Sequence, residues 1–160
     1  MSGVRLVTVS SEATQALGRR LGGLLAAGNA LLLHGDLGAG KTTLAQGIVA
    51  AGRPDVAAQS PTFTLINEYE PTGDHPALFH LDLYRLDGPD DLDSIGFDDL
   101  LAAGEGAVLV EWPERLGADL PDDYLLVAIT PDGPDRRAFD IRAVPAGGRH
   151  QRIVNALTGD

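Results

Sequence analysis

The chain has 160 residues, no cysteine and a formal net charge of −11, from 23 acidic and 12 basic side chains. That length suits one domain able to bury a core unaided, and the missing cysteine excludes disulfide frameworks, Cys-ligated zinc, iron–sulfur centres and a thiol nucleophile. The longest apolar runs, Ala30 to Leu33 and Ala107 to Val110, are too short to span a bilayer. No basic segment leads into an apolar stretch at the start, and the acidic balance argues against a broad nucleic-acid backbone footprint. The expectation is a cytoplasmic protein with no membrane contact.

Arg5 to Val9 alternates polar and apolar residues, the pattern of a short strand. Ser10 or Ser11 is the candidate N-cap of the next helix, with Glu12 complementing the positive end of its dipole. Ala13, Leu17, Leu21, Leu24 and Leu25 recur at spacings of three and four, and Gly28 reads as the stop. Ala30 to Leu33 reads as a buried strand. A glycine-rich segment then leads into a helix over Leu44 to Ala51, ended by Gly52 and Pro54. Phe63 to Glu70 and Ala77 to Leu83, separated by Pro71-Thr-Gly-Asp-His-Pro76, predict an antiparallel pair. Pro89 opens a short helix with Leu92 and Ile95, and a second covers Asp98 to Ala103. Ala107 to Val110 is another buried strand, closed by Glu111-Trp112-Pro113. Tyr124 to Ile129 and Arg137 to Val144 predict a terminal hairpin around Pro131-Asp-Gly-Pro134, and His150 to Leu157 a last helix. With no repeat and no linker, residues 1–160 read as one α/β domain, a central mixed sheet flanked by helices in the manner of a P-loop NTPase.

The chemistry concentrates in Gly35-Asp-Leu-Gly-Ala-Gly-Lys-Thr-Thr43, a Walker A pattern between a strand and a helix. Glycines let the backbone of Asp36, Leu37, Gly38, Ala39 and Gly40 bend so that successive N–H groups point inward at phosphate oxygens. The following helix adds its positive end. Lys41, the only lysine, reaches the β- and γ-phosphates as a compact charge. Thr42 offers its hydroxyl to Mg²⁺, and Thr43 lies within reach of the α-phosphate. Guanine selection in common GTPases needs a second lysine in an Asn/Thr-Lys-x-Asp segment, so ATP is the expected nucleotide.

Such a loop needs a carboxylate at the end of a buried strand. Glu111 follows Ala107 to Val110, and Asp82 ends Leu78 to Leu81. One would hold Mg²⁺ and the other orient water. Ser60-Pro-Thr62 is a candidate switch segment or a plain loop. Trp112, beside Glu111, either stacks on a base or partner or anchors the core. Six aspartates fall in the thirteen residues from Asp87 to Asp99, either a solvated acidic face or a docking site for a basic partner.

Four blocks together resemble the TsaE family, the small ATPase of bacterial tRNA threonylcarbamoyladenosine biosynthesis. They are the segment from Gly35 to Thr43, Ser60-Pro-Thr-Phe-Thr-Leu65, His80-Leu-Asp-Leu-Tyr-Arg-Leu86 and Val110-Glu-Trp-Pro-Glu-Arg115. The resemblance implies Thr42 and Glu111 as Mg²⁺ ligands, Asp82 as a residue needed for hydrolysis, and Lys41 with Asp82 and Glu111 as the catalytic set. It implies a nucleotide pocket that includes Ser11, with Glu114 and Arg136 along it. It also implies TsaD and TsaB as partners, with tRNA met only through them, and ATP turnover that resets that complex. The tail after Ala138 matches no block. A small-molecule kinase and a nucleotide-gated regulator without turnover are the alternative functions.

Overall fold

Two runs of consecutive aliphatic residues set the middle of the sheet, because a strand covered on both faces needs no polar alternation. The computed structural model describes residues 3–35, 40–53, 66–83, 96–114, 116 and 120–158. In chain order these form β1 (Gly3–Thr8), α1 (Ser11–Leu24), β2 (Ala30–His34), α2 (Lys41–Ala50), β3 (Ile66–Tyr69), β4 (Ala77–Asp82), α3 (Phe97–Ala103), β5 (Gly106–Glu111), β6 (Tyr124–Pro131), β7 (Arg137–Val144) and α4 (Gln151–Leu157). The strands make one seven-stranded sheet in the order β1-β7-β6-β2-β5-β4-β3. The inner β6, β2, β5 and β4 run parallel, while β7, β1 and β3 join antiparallel at the sides. Both predicted hairpins are present, and the fold is the expected α/β domain with a mixed sheet.

Alternation divides the core into two layers. Leu31, Leu33, Leu78, Leu109, Val127 and Phe139 pack beneath α1, α2 and α4. Leu32, Phe79, Leu81, Val108 and Val110 pack on the opposite face with Phe97 of α3. His80 and Asp82 share the face of Leu78, and Glu111 that of Leu109, so all three side with α2. The tail that carries no motif is structural: β7 lies between β1 and β6, and Ile153, Val154 and Leu157 of α4 are buried in the core.

Two expectations shift. α1 ends at Leu24, where the Leu25 N–H bonds the Gly22 carbonyl, and Gly28 instead turns the chain into β2 at φ 90°. α2 begins at Lys41, because Gly40, at φ 112°, ends the loop in the left-handed region open to glycine. Ser10 does cap α1, its Oγ accepting from Ala13 N at 3.0 Å, an interaction of about 1 kcal/mol. The helix expected around Pro89 to Ile95, the Ser60-Pro-Thr62 segment and loop residues Asp36 to Ala39 lie outside the described residues, as does most of the aspartate run.

α1 and α2 run side by side in backbone contact. A Cβ on Gly18 would sit 2.4 Å from the Leu44 carbonyl oxygen, and one on Gly47 2.2 Å from that of Gln15. Gln15 Nε2 donates to Gln46 Oε1 across the seam at 3.1 Å. At the other end of α2, buried Arg53 donates to the carbonyls of Glu70 and Pro76, both at 2.8 Å. It thereby ties the β3–β4 turn to the helix.

Alanine normally improves a helix by about 1 kcal/mol over glycine. At Gly47 the sign reverses: Gly47→Ala costs about 1–3 kcal/mol of stability through overpacking and so lowers the denaturation midpoint. Gly23→Ala, with nothing within 4 Å of its Cβ, raises it. Urea melts of the two variants check this.

His150 is buried and its Nε2 accepts the Ala30 N–H at 3.0 Å. Burial lowers its pKa from the usual value of 6.5, opposed by Asp123 and reinforced by Arg149 and Arg152. The unfolded chain therefore takes up this proton first. The stabilisation is complete above pH 6.5 and falls away as the pH drops below 6.5 toward the lowered folded value. Tm measured across that window should fall more steeply in the native chain than in His150→Leu.

Candidate functional site

The carboxyl ends of parallel strands are where open α/β sheets bind ligands, and the candidate residues gather there. β2 delivers Gly35 and, beyond the loop, the N-terminus of α2. In register, Leu33 lies beside Glu111, and Glu111 beside Asp82. Gly40 and Lys41 therefore open α2 at the same edge where Glu111 and Asp82 leave the sheet, Glu111 buried and Asp82 partly exposed.

Lys41 is 5% exposed, and its ammonium donates to the Gly35 carbonyl. The same Nζ lies 3.4 Å from the centre of the Trp112 ring, an attraction of about 2 kcal/mol when desolvated. Trp112 is half-buried and has φ 62°. It is the one described residue other than glycine with a positive φ, a strain of order 1–3 kcal/mol of the kind that gathers at functional sites. Here its ring faces the only lysine.

Glu111 is held from the side. His80 Nε2 donates to its Oε2 at 2.7 Å, and both side chains are about 95% or more buried. Oε1 has no hydrogen-bond partner among the described residues. Thr42, the second residue of α2, is exposed. One hydroxyl and one carboxylate oxygen are hard donors of the kind Mg²⁺ takes beside nucleotide phosphates and water. No cluster of three metal-binding side chains exists among the described residues. Such a cluster is not required, because Mg²⁺ at these sites takes only one or two carboxylates. The donor set fits the ion.

Next to the α2 N-terminus lies a polar cleft lined by Ser10, Ser11, Thr14, Gly40, Thr43, Asp135 and Arg137. Ser11, Gly40 and Thr43 come together here as the sequence suggests. Arg136 does not join them: it sits in the β6–β7 turn, 3.7 Å from Asp132. Arg137, one residue on, lines the cleft, with its side chain 3.5 Å from the position a Gly40 Cβ would take. Glu114 lies elsewhere, paired with His34 at 2.9 Å. Both border an apolar hollow formed by Leu32, Leu120, Tyr124 and Leu126. Sequence reading missed Arg137 and His80 as site residues. The pairing of Arg137 with Thr8 and of Asp82 with Glu111 brings them in, and neither pairing is local.

Parallel strands with a helix opening at their carboxyl edge, after a glycine-rich stretch of sequence, define a P-loop NTPase-like α/β fold. Residues 8–139 match the family described as "Threonylcarbamoyl adenosine biosynthesis protein TsaE". The chain is 35% identical over 151 residues to the tRNA threonylcarbamoyladenosine biosynthesis protein TsaE of Bacillus subtilis, covering 94% of this chain and 91% of that one. It is 43% identical over 129 residues to the protein of the same name from Nostoc, covering 79% and 77%. The crystal structure of YdiB from Bacillus subtilis superposes with a TM-score of 0.78 at 31% identity, covering 98% of this chain and 94% of that one. This chain belongs to the TsaE family.

Replacing Lys41 removes the donor to Gly35 and the cation over the ring. Lys41→Ala should change the fluorescence emission of the single tryptophan, and an unchanged spectrum would show that the two groups do not meet in solution.

Proposed function

We propose that this protein binds Mg·ATP and hydrolyses it slowly, as the ATPase component of tRNA threonylcarbamoyladenosine formation at adenosine 37 of tRNA, working in the cytoplasm on the paired subunits TsaD and TsaB. The observation that carries the reading is the shared edge of β2, β5 and β4. It sets Lys41 and Thr42 at a helix N-terminus beside Glu111 and Asp82, in a chain of this family.

The residues divide the work by their chemistry. The N-terminus of α2, opening at Gly40 and Lys41, favours the phosphate charge. Lys41 exchanges the Gly35 carbonyl for phosphate oxygens. Thr42 and Glu111 Oε1 would hold Mg²⁺, which when bound neutralises charge on the β- and γ-phosphates. Asp82, partly exposed at the strand end, orients the attacking water and accepts its proton. The cleft of Ser11, Thr14, Thr43 and Arg137 accepts the base and ribose. No helix among the described residues is long and apolar enough to cross a membrane. The acidic net charge fits an approach to tRNA through protein partners.

Asp82→Ala should leave ATP binding intact and lower turnover about 10²–10⁴-fold, the usual worth of a positioned base. Phosphate release measured alone and with the TsaD–TsaB pair tests chemistry and partnership together. Stimulated release to water supports the reading. Transfer of phosphate to a metabolite, or turnover surviving Asp82→Ala, overturns it.

A further inference from the structure

We propose that His80 is the positioning residue of this site, selecting by its hydrogen bond which oxygen of Glu111 is presented to the metal. The inference rests on the reading of Glu111 as the Mg²⁺ ligand and adds a residue which that reading does not contain.

Three observations carry it. First, the bond is short and shielded: His80 Nε2 lies 2.7 Å from Glu111 Oε2, with side-chain exposures of 3% and 5%. Second, the contact is diagonal across the β4–β5 pair. Asp82 lies directly opposite Glu111, and His80 directly opposite Leu109. The imidazole therefore reaches along the sheet from the foot of the site, approaching the carboxylate from the interior. That engages Oε2 and leaves Oε1 without a partner among the described residues. Third, His80 Nδ1 is buried without a hydrogen-bond partner among the described residues, so the polar contact that fixes the imidazole there is the one to the Glu111 carboxylate.

The physical effect is one of geometry. A glutamate has three rotatable side-chain bonds, and a carboxylate free to turn offers either oxygen, or both, to a cation. A donor fixed on a central strand removes that freedom before the ion arrives. Groups that hold a metal ligand in this way commonly account for 10- to 100-fold in metal affinity. His80, with a side chain 3% exposed, acts through Glu111.

The test is a Mg²⁺ titration of the full chain with a methylanthraniloyl-labelled ATP, read by its fluorescence, with a parallel titration of the same nucleotide in EDTA and a thermal melt of each variant. His80→Phe keeps a ring of similar size and removes the donor. Its apparent Mg²⁺ affinity should fall about 10–100-fold while nucleotide affinity in EDTA stays at the native level. His80→Gln, whose amide N–H reaches as far as the imidazole Nε2, should restore most of the loss. His80→Asn, whose donor stops short, should not, and this pair decides the question if the Phe variant fails to fold. Native Mg²⁺ affinity in His80→Phe beside a loss in Glu111→Gln would overturn the role of His80. So would equal behaviour of the Gln and Asn variants. A Mg²⁺ titration of Glu111→Gln that matches the native chain would instead overturn Glu111 as the ligand, a result distinct from the other two.

Discussion

The site depends on two helices that meet backbone to backbone. Gly18, Gly22 and Gly47 leave no room for a single added carbon between α1 and α2, so the two axes approach as closely as packing permits. Both helices run the same way along that seam, and their N-termini emerge together. One end is capped by Ser10 and the other opens at Gly40. Two positive helix ends side by side, over the carboxyl edge of a parallel sheet, make a pole for anions in a chain whose overall charge is strongly negative. Glycines that cost conformational entropy in a helix interior are retained because any larger residue would spread that pole apart.

Within the pole each charge already has a neighbour. Lys41 is occupied by the Gly35 carbonyl and the Trp112 ring, and Glu111 by His80. These contacts satisfy groups that would be expensive to bury alone. They also fix the orientation of both groups. The left-handed backbone at Trp112 follows directly on Glu111. Strain and buried carboxylate thus share one short stretch of β5 and its exit, and the buried ammonium at the start of α2 is set against the ring there. The rest of the molecule relaxes around them: the antiparallel strands at either side of the sheet carry ordinary alternation, and the tail merely closes the core.

The legibility of the site followed how local each residue's reason was. Lys41, Thr42 and Thr43 belong to a contiguous motif whose spacing is its mechanism, so chain order suffices to find them. Glu111 and Asp82 are the first acids after buried apolar runs, which is also a local signature. Arg136 and Arg137 are indistinguishable by composition. The turn is closed by the Asp132 N–H on the Arg136 carbonyl at 2.9 Å, and this sets the phase of β7, so Arg137 shares a face with Phe139 and Ile141 and Arg136 does not. A shift of one residue would exchange their faces. Glu114, close to Trp112 in sequence, is carried past the strand end to the opposite layer, beside His34. His80 read as one more residue of a strand until a second strand was laid against it.

By itself the amino-acid order determined the alternation of strands and helices, the glycine-rich motif with its sole lysine, and the two carboxylates at strand ends. Each of those depends on neighbours within a few residues, where period, capping and turn chemistry act. Only the tertiary structure decided the sheet order, the glycine seam between α1 and α2, the partner of Glu111 and the arginine that enters the cleft. These are pairings across 29 to 129 positions (Asp82 with Glu111, Thr8 with Arg137), selected by the register that buries both apolar faces at once. That is a property of the whole sheet, which no short stretch of chain contains.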